Sequence, residues 1–168
     1  MNLHKRKPTR LKHYNYSQNG AYFITFCTHN RKCLLSKIVG AIHESPENIL
    51  TTYGKIAEKY ICEIENKYTN VKIDKYVIMP NHIHILLSVN DGEWAIRESP
   101  LHRRSVLSKA VGYIKMNSSK DIHSSYNGNI WQRNYHDHIV RNENDYKKIW
   151  KYIDTNVSRW KKDCFYTR

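Results

Sequence analysis

A chain of 168 residues is long enough for one domain with a core of its own, here taken as 1–168. With 40% apolar residues and no run approaching the roughly 18 uncharged apolar positions of a membrane span, the composition argues against a membrane protein and fits a soluble globular one. The 28 Lys and Arg against 15 Asp and Glu leave a formal charge of +13, which favours a polyanionic partner without separating DNA from RNA or an acidic surface.

In chain order, residues 1–20 (MNLHKRKPTRLKHYNYSQNG) form a basic arm, either solvated or lying on phosphates. No apolar stretch with a small-residue cleavage site follows it, so no secretory signal is visible. The four cysteines, Cys27, Cys33, Cys62 and Cys164, make no CxxC pair or zinc-finger spacing. They read as small core residues in a reducing, cytoplasmic setting. After the turn formers Asn19-Gly20, the aromatic and β-branched run Ala21 to Thr28 predicts a first strand. From about Leu50 to Tyr68, apolar residues recur at three- and four-residue steps and predict a helix with one buried face.

Val71 to Met79 and His82 to Val89 read as strands joined through Pro80-Asn81 into a hairpin. Ser105 to Asn117 carries Val106, Leu107, Ala110, Val111 and Ile114 on one helical face, and the polar run 118–129 reads as loop. Ile130 to Arg141 reads as a fourth strand with its approach. A final helix, capped by Asn142 or Asn144, runs to about Asn156 with Tyr146, Ile149, Trp150 and Ile153 as its buried stripe. The order βαββαβ plus a helix predicts an α+β, ferredoxin-like fold: an antiparallel sheet with helices on one face and an additional C-terminal helix.

Two aimed pairs stand out. In a strand the period of two sends His82 and His84 to one face, where two neutral imidazoles can lean onto one divalent ion if a third ligand comes from elsewhere. By itself, a His-x-His in a strand is more often structural or solvated than a ligand pair. On the last helix Tyr152 and Asn156 lie one turn apart at the edge of the stripe, offering a phenol and an amide oxygen; a half-buried aromatic beside a capping asparagine fits the same positions. His136 and His138 flank Asp137 on one strand face and read as structural or DNA-proximal.

The string KYVIMPNHIHILL, followed by WQRNYHDHIVRNENDYKKIWKYIDTN, resembles the REP-associated tyrosine transposases and the wider single-tyrosine transposase family of HUH endonucleases, the insertion-sequence-200-like group. The opening RLKHYNYSQNGAYFITFCTHNRKCLL and the helix LSKAVGYIK resemble the same family, so the likeness spans nearly the whole chain. It implies that His82 and His84 are metal ligands, that Tyr152, on the C-terminal helix, is the nucleophile, and that Asn156 completes the ligand set. The usual proline after this asparagine is replaced by Val157, which leaves the end of the helix open.

The implied activity is metal-dependent nicking and rejoining of single-stranded or hairpin DNA through a 5′-phosphotyrosine, with Mg2+ or Mn2+ as the ion. Arg10, Lys12, Arg103, Arg104, Lys109 and Lys115 are candidate phosphate contacts. Both a monomer and a homodimer are compatible with the resemblance. Two other readings compete. One is a non-catalytic ferredoxin-like nucleic-acid-binding protein; the other is a rolling-circle initiator or relaxase with the same chemistry.

Overall fold

The computed structural model describes residues 16, 18–40, 46–90 and 105–166. Arg10, Lys12, Arg103 and Arg104 lie outside them, as does most of the N-terminal arm.

The strands are β1 (Gly20–Cys27), β2 (Ser36–Val39), β3 (Glu47–Leu50), β4 (Val71–Ile78), β5 (His82–Val89) and β6 (His136–Val140). The helices are α1 (Thr52–Cys62), α2 (Ile64–Lys67), α3 (Val106–Ile122) and α4 (Glu143–Thr155), and a 3-10 segment follows at Val157–Lys162. Strands β4, β5, β1 and β6 form one antiparallel sheet in that order, the ferredoxin-like arrangement expected from the sequence.

Side-chain alternation divides the sheet into two faces. Tyr22, Ile24 and Phe26 of β1 and Ile83, Ile85, Leu87 and Val89 of β5 join the main core with Ala57 and Ile61 of α1 and Leu107, Ala110, Val111 and Ile114 of α3. The opposite face carries α4, whose Ile149 and Ile153 pack on Leu86 beside Phe23, Val77 and Val140. The one-residue offset between these sets is what turns His82, His84 and Leu86 toward α4.

Local chemistry fixes the ends. Thr51 caps α1 by accepting from the Gly54 amide at 3.2 Å, and Asn142 caps α4 by accepting from the Asp145 amide at 2.9 Å. Gly54 is needed because a Cβ there would fall 2.0 Å from the Leu35 carbonyl oxygen, so only glycine lets that loop close on the helix.

Three sequence expectations are corrected. Helix α3 does not stop at Asn117, because Ser118 and Ile122 continue the buried stripe from Ile114 at four-residue steps. The Ser118 hydroxyl donates to the Ile114 carbonyl at 2.6 Å and accepts from Trp131 Nε1 at 3.0 Å, so a polar residue sits comfortably inside. The fourth strand with its approach is found within 130–141, as β6 preceded by an isolated bridge from Trp131 to Thr28. Trp150 is 39% exposed rather than part of the buried stripe, with the Lys75 ammonium 4.4 Å above its ring. All four cysteines are free thiols, but only Cys27 is buried. The small hairpin β2–β3 has no counterpart in the expected element order.

Candidate active site

The hairpin turn and the first strand set the two histidines. Met79 and His82 close the turn through the bond from the Met79 amide to the His82 carbonyl, at 2.9 Å, and His82 and His84 pair with Cys27 and Thr25 across β1. Both imidazoles are buried, His82 at 0% and His84 at 1% exposure, with their Nε2 atoms 3.0 Å apart.

Asn81 orients His82. Its Nδ2 donates to the carbonyls of Arg31 (3.2 Å) and Phe165 (2.8 Å), which leaves Oδ1 to accept from His82 Nδ1 at 2.9 Å. That donation places the ring proton on Nδ1 and leaves Nε2 as a lone pair. His84 Nδ1 lies 2.7 Å from the Thr25 hydroxyl, while its Nε2 faces both His82 and the Tyr152 hydroxyl, the latter at 3.3 Å. Two ring nitrogens pressed together at this distance need a proton or a cation between them.

Helix α4 delivers the other pair. Tyr152 is half-buried, its ring edge-on to Phe23 at 6.0 Å and to His84 at 5.2 Å. Asn156 is 1% exposed; its Nδ2 donates to Asp163 Oδ2 at 3.3 Å, whereas its Oδ1 is buried without a hydrogen-bond partner. The missing proline has a plain structural outcome: Asn156 keeps helical dihedrals (φ −63, ψ −42), and the chain tightens directly into the 3-10 segment. That segment ends at Asp163, whose side chain is 3% exposed and lies 4.0 Å from His82 Nε2.

Ligand atoms of His82, His84 and Asp163 lie within 4.8 Å of one another. Two imidazole nitrogens, a carboxylate and an orphaned amide oxygen on one buried spot are a donor set suited to a divalent cation. The orphan matters most, since a buried carbonyl oxygen without a partner costs roughly 1–3 kcal/mol unless something satisfies it.

Burial shapes the titrations. His82 is pushed down to about 4, chiefly by desolvation, with Asp163 opposing and Arg31 adding to the shift. His84 is held well below its usual 6.5 by burial and by His82. Tyr152 is pushed up to about 12, first by burial and then by the Asp163 charge, with the Asn156 amide acting the other way. Both histidines are therefore neutral at pH 7, as ligands must be, and the phenol is a poor nucleophile until positive charge is brought beside it.

His138 is occupied with Asp145 of α4 (2.9 Å), a structural tie. Lys109 is exposed on α3. The Lys115 ammonium donates to the Gln132 carbonyl and to the Arg133 carbonyl at 3.1 Å, on the wall of a groove of about 550 Å³ between α3 and residues 129–135. That groove is lined by Lys115, His123 and Arg133 and by no Asp or Glu.

Sequence reasoning passed over Asn81, Thr25 and Asp163. Asn81 stood in plain view beside His82 but read as a turn former. Thr25 could have been found from the strand register, as the polar position facing the histidines. Asp163 left no signal, because only the unforeseen 3-10 turn brings it back.

The model of the family described as IS200-like transposases matches residues 16–156. An uncharacterized protein of Haemophilus influenzae is 33% identical over 175 residues, covering 98% of this chain and 94% of its own. Among solved structures, that of a REP-associated tyrosine transposase bound to a REP hairpin aligns with a TM-score of 0.60 at 22% identity, over 89% of this chain and 73% of that one, a likeness of fold.

Proposed function

The chain belongs to the IS200-like transposase family, and from that premise we propose that it is a metal-dependent single-stranded DNA endonuclease and strand transferase with Tyr152 as its nucleophile. The observation that carries this reading is the 3.3 Å approach of the Tyr152 hydroxyl to His84 Nε2, with Asn156 one turn further along the same helix.

His82, His84 and Asn156 hold the ion, Mg2+ or Mn2+. When bound it supplies positive charge beside the scissile phosphate and the phenol. Asn81 holds His82 with Nε2 offered as a lone pair, and Thr25 holds the His84 ring through its Nδ1 edge. Helix α4, anchored by Ile149 and Ile153 on Leu86, sets the phenol oxygen at the edge of the histidine pair. In the reaction the bond from Tyr152 oxygen to phosphorus forms and the bond to the 3′-oxygen breaks. The phenol proton passes overall to that leaving oxygen, giving a 5′-phosphotyrosine and a free 3′-hydroxyl. Attack by another 3′-hydroxyl reverses the exchange and joins strands without an external energy source.

The substrate is single-stranded or hairpin DNA, drawn to the +13 chain through its phosphates. Lys109 and the groove bearing Lys115 and Arg133 are contacts among the described residues; Arg10, Lys12, Arg103 and Arg104 remain candidates beyond them. Within one chain the Tyr152 hydroxyl lies 3.3 Å from His84 Nε2, which supports a site built from a single chain, in a monomer or in each half of a homodimer. The domain is taken as 1–168, and Tyr16, near the end of the basic stretch 1–20, is already buried in the main core. Among the described residues no helix is long and apolar enough to cross a membrane.

The test incubates the protein with labelled hairpin DNA from the flanks of its gene, with Mn2+ or with EDTA. An SDS-resistant adduct is expected in wild type with Mn2+ only, and a loss of at least about 1,000-fold in Tyr152→Phe. DNA binding without any adduct would favour the non-catalytic module, and an adduct surviving in Tyr152→Phe would move the nucleophile elsewhere.

A further inference from the structure

The carboxylate of Asp163 belongs to no part of the three-ligand set carried over from the family, yet it lies in the same buried spot. Its side chain is 3% exposed, its Oδ2 is 4.0 Å from His82 Nε2, and it accepts from Asn156 Nδ2 at 3.3 Å. Resting on the reading above, we infer that Asp163 is a fourth protein ligand of the catalytic ion, supplied by the 3-10 segment that follows the nucleophile helix.

Three observations carry this. The ligand atoms of His82, His84 and Asp163 fit within 4.8 Å, the spread a single ion bonded at roughly 2.0–2.6 Å to each would impose. Two neutral imidazoles and an amide bring no negative charge to a divalent cation in a buried site, and one carboxylate halves the uncompensated charge. It also hardens the donor set toward the oxygen-preferring ions Mg2+ and Mn2+. Finally, Asp163 does not have to be there to cover the site. The segment is already fastened by Asn81 Nδ2 to the Phe165 carbonyl (2.8 Å), by the Arg31 guanidinium to the Cys164 carbonyl (3.2 Å), and by Arg31 5.2 Å above the Phe165 ring.

Asp163 Oδ1 accepts from the Phe165 amide at 2.7 Å, a bond that the amide oxygen of an asparagine can take over, while Oδ2 accepts from Asn156 Nδ2. Asp163→Asn is therefore the fitting probe: it removes the charge and leaves the turn.

The bond from Asn156 Nδ2 raises a rival role, in which Asp163 only orients Asn156 so that Oδ1 points to the ion. A double-mutant comparison separates the two. Mn2+ affinity is measured by electron paramagnetic resonance on the full chain without DNA, for wild type, Asp163→Asn, Asn156→Ala and the double variant, with thermal melts in EDTA to verify folding. A direct ligand predicts binding weaker by at least about 100-fold in Asp163→Asn, the upper end of what loss of an outer-shell partner costs, and a further loss when the change is made in the Asn156→Ala background. Equal affinity in Asp163→Asn and wild type would overturn the inference. A loss that vanishes in the Asn156→Ala background would do so as well, leaving Asp163 as a positioning residue. Either result leaves the adduct assay and the nuclease reading standing; no Mn2+ uptake by wild type would remove both the fourth ligand and the metal premise.

Discussion

The two faces of the central sheet are built from the same strands and do opposite work. On β5, Ile83, Ile85, Leu87 and Val89 point to α1 and α3 and are entirely apolar, whereas His82, His84 and Ser88 alternate with them toward α4 and are joined there by one apolar residue, Leu86. The first face is closed mainly by hydrophobic contact, with the buried Ser118 hydroxyl bonded to Trp131 Nε1 inside it. The second keeps its buried polar atoms satisfied through Asn81, Thr25 and Asp163, and leaves Asn156 Oδ1 with no partner. A period of two thus lets one strand pack the core with every second residue and turn its two histidines and Ser88 to the other side, beside Asn156 and Asp163.

The sharpest test of that division changes neighbouring residues. Ile85→Ala, on the fully buried face, should cost about 2–5 kcal/mol by urea titration, since deleting a core side chain loses transfer energy and leaves a cavity. The protein that stays folded should still form the DNA adduct. His84→Gln, one residue away, should lose adduct formation by at least about 100-fold while shifting stability less than Ile85→Ala does. If Ile85→Ala abolished the adduct in folded protein, or His84→Gln were the more unstable variant, the two faces would not be independent.

Acid should strike one face first. His82 has a folded pKa of about 4 and His84 one well below 6.5, both depressed chiefly by burial, while the unfolded chain titrates near 6.5. Below pH 6.5 the unfolded state therefore takes up protons that the folded state refuses, so stability present above pH 6.5 is lost as pH falls toward 4. Asp121 and Asp145, with pKa values lowered by their Tyr60 and His138 partners, contribute only below the usual carboxylate range. Melting temperatures in EDTA should thus decline between pH 6.5 and 4 in wild type and decline less in a His82→Gln, His84→Gln double variant. Equal slopes would show that the histidines are not what the fold holds neutral.

How far this arrangement could be read in advance follows the same division. Strands with clean alternation, and helices with a three- and four-residue apolar rhythm, were legible, because each writes its burial into the sequence. Hairpin β2–β3 was not: SKIV and ENIL are four residues each, with Val39 and Ile49 left 43% and 48% exposed, too short and too wet to show a pattern. The stretch 118–122 read as loop by polarity, although Ser118 and Ile122 keep the helical spacing. At the site, residues carried by regular elements, His82, His84, Tyr152 and Asn156, could be named from the sequence with the family likeness. Asp163 sits in an irregular segment, and nothing local says that the chain turns back there.

The smallest predicted effect concerns the outer surface of the structural side. Gly112 lies in the middle of α3, and a Cβ placed on it would meet nothing within 4 Å. Glycine inside an exposed helix costs up to about 1 kcal/mol relative to alanine, through the backbone freedom it loses on folding. Gly112→Ala should therefore stabilise the protein by that amount, about 2–4 °C in melting temperature, with adduct formation unchanged. Gly112 also lines the groove that carries Lys115, His123 and Arg133, so the same variant asks a second question. Should it melt higher yet hold hairpin DNA less tightly, the added methyl is meeting a ligand that the bare chain leaves room for. The face built from α1 and α3 would then be structural within and a DNA surface without.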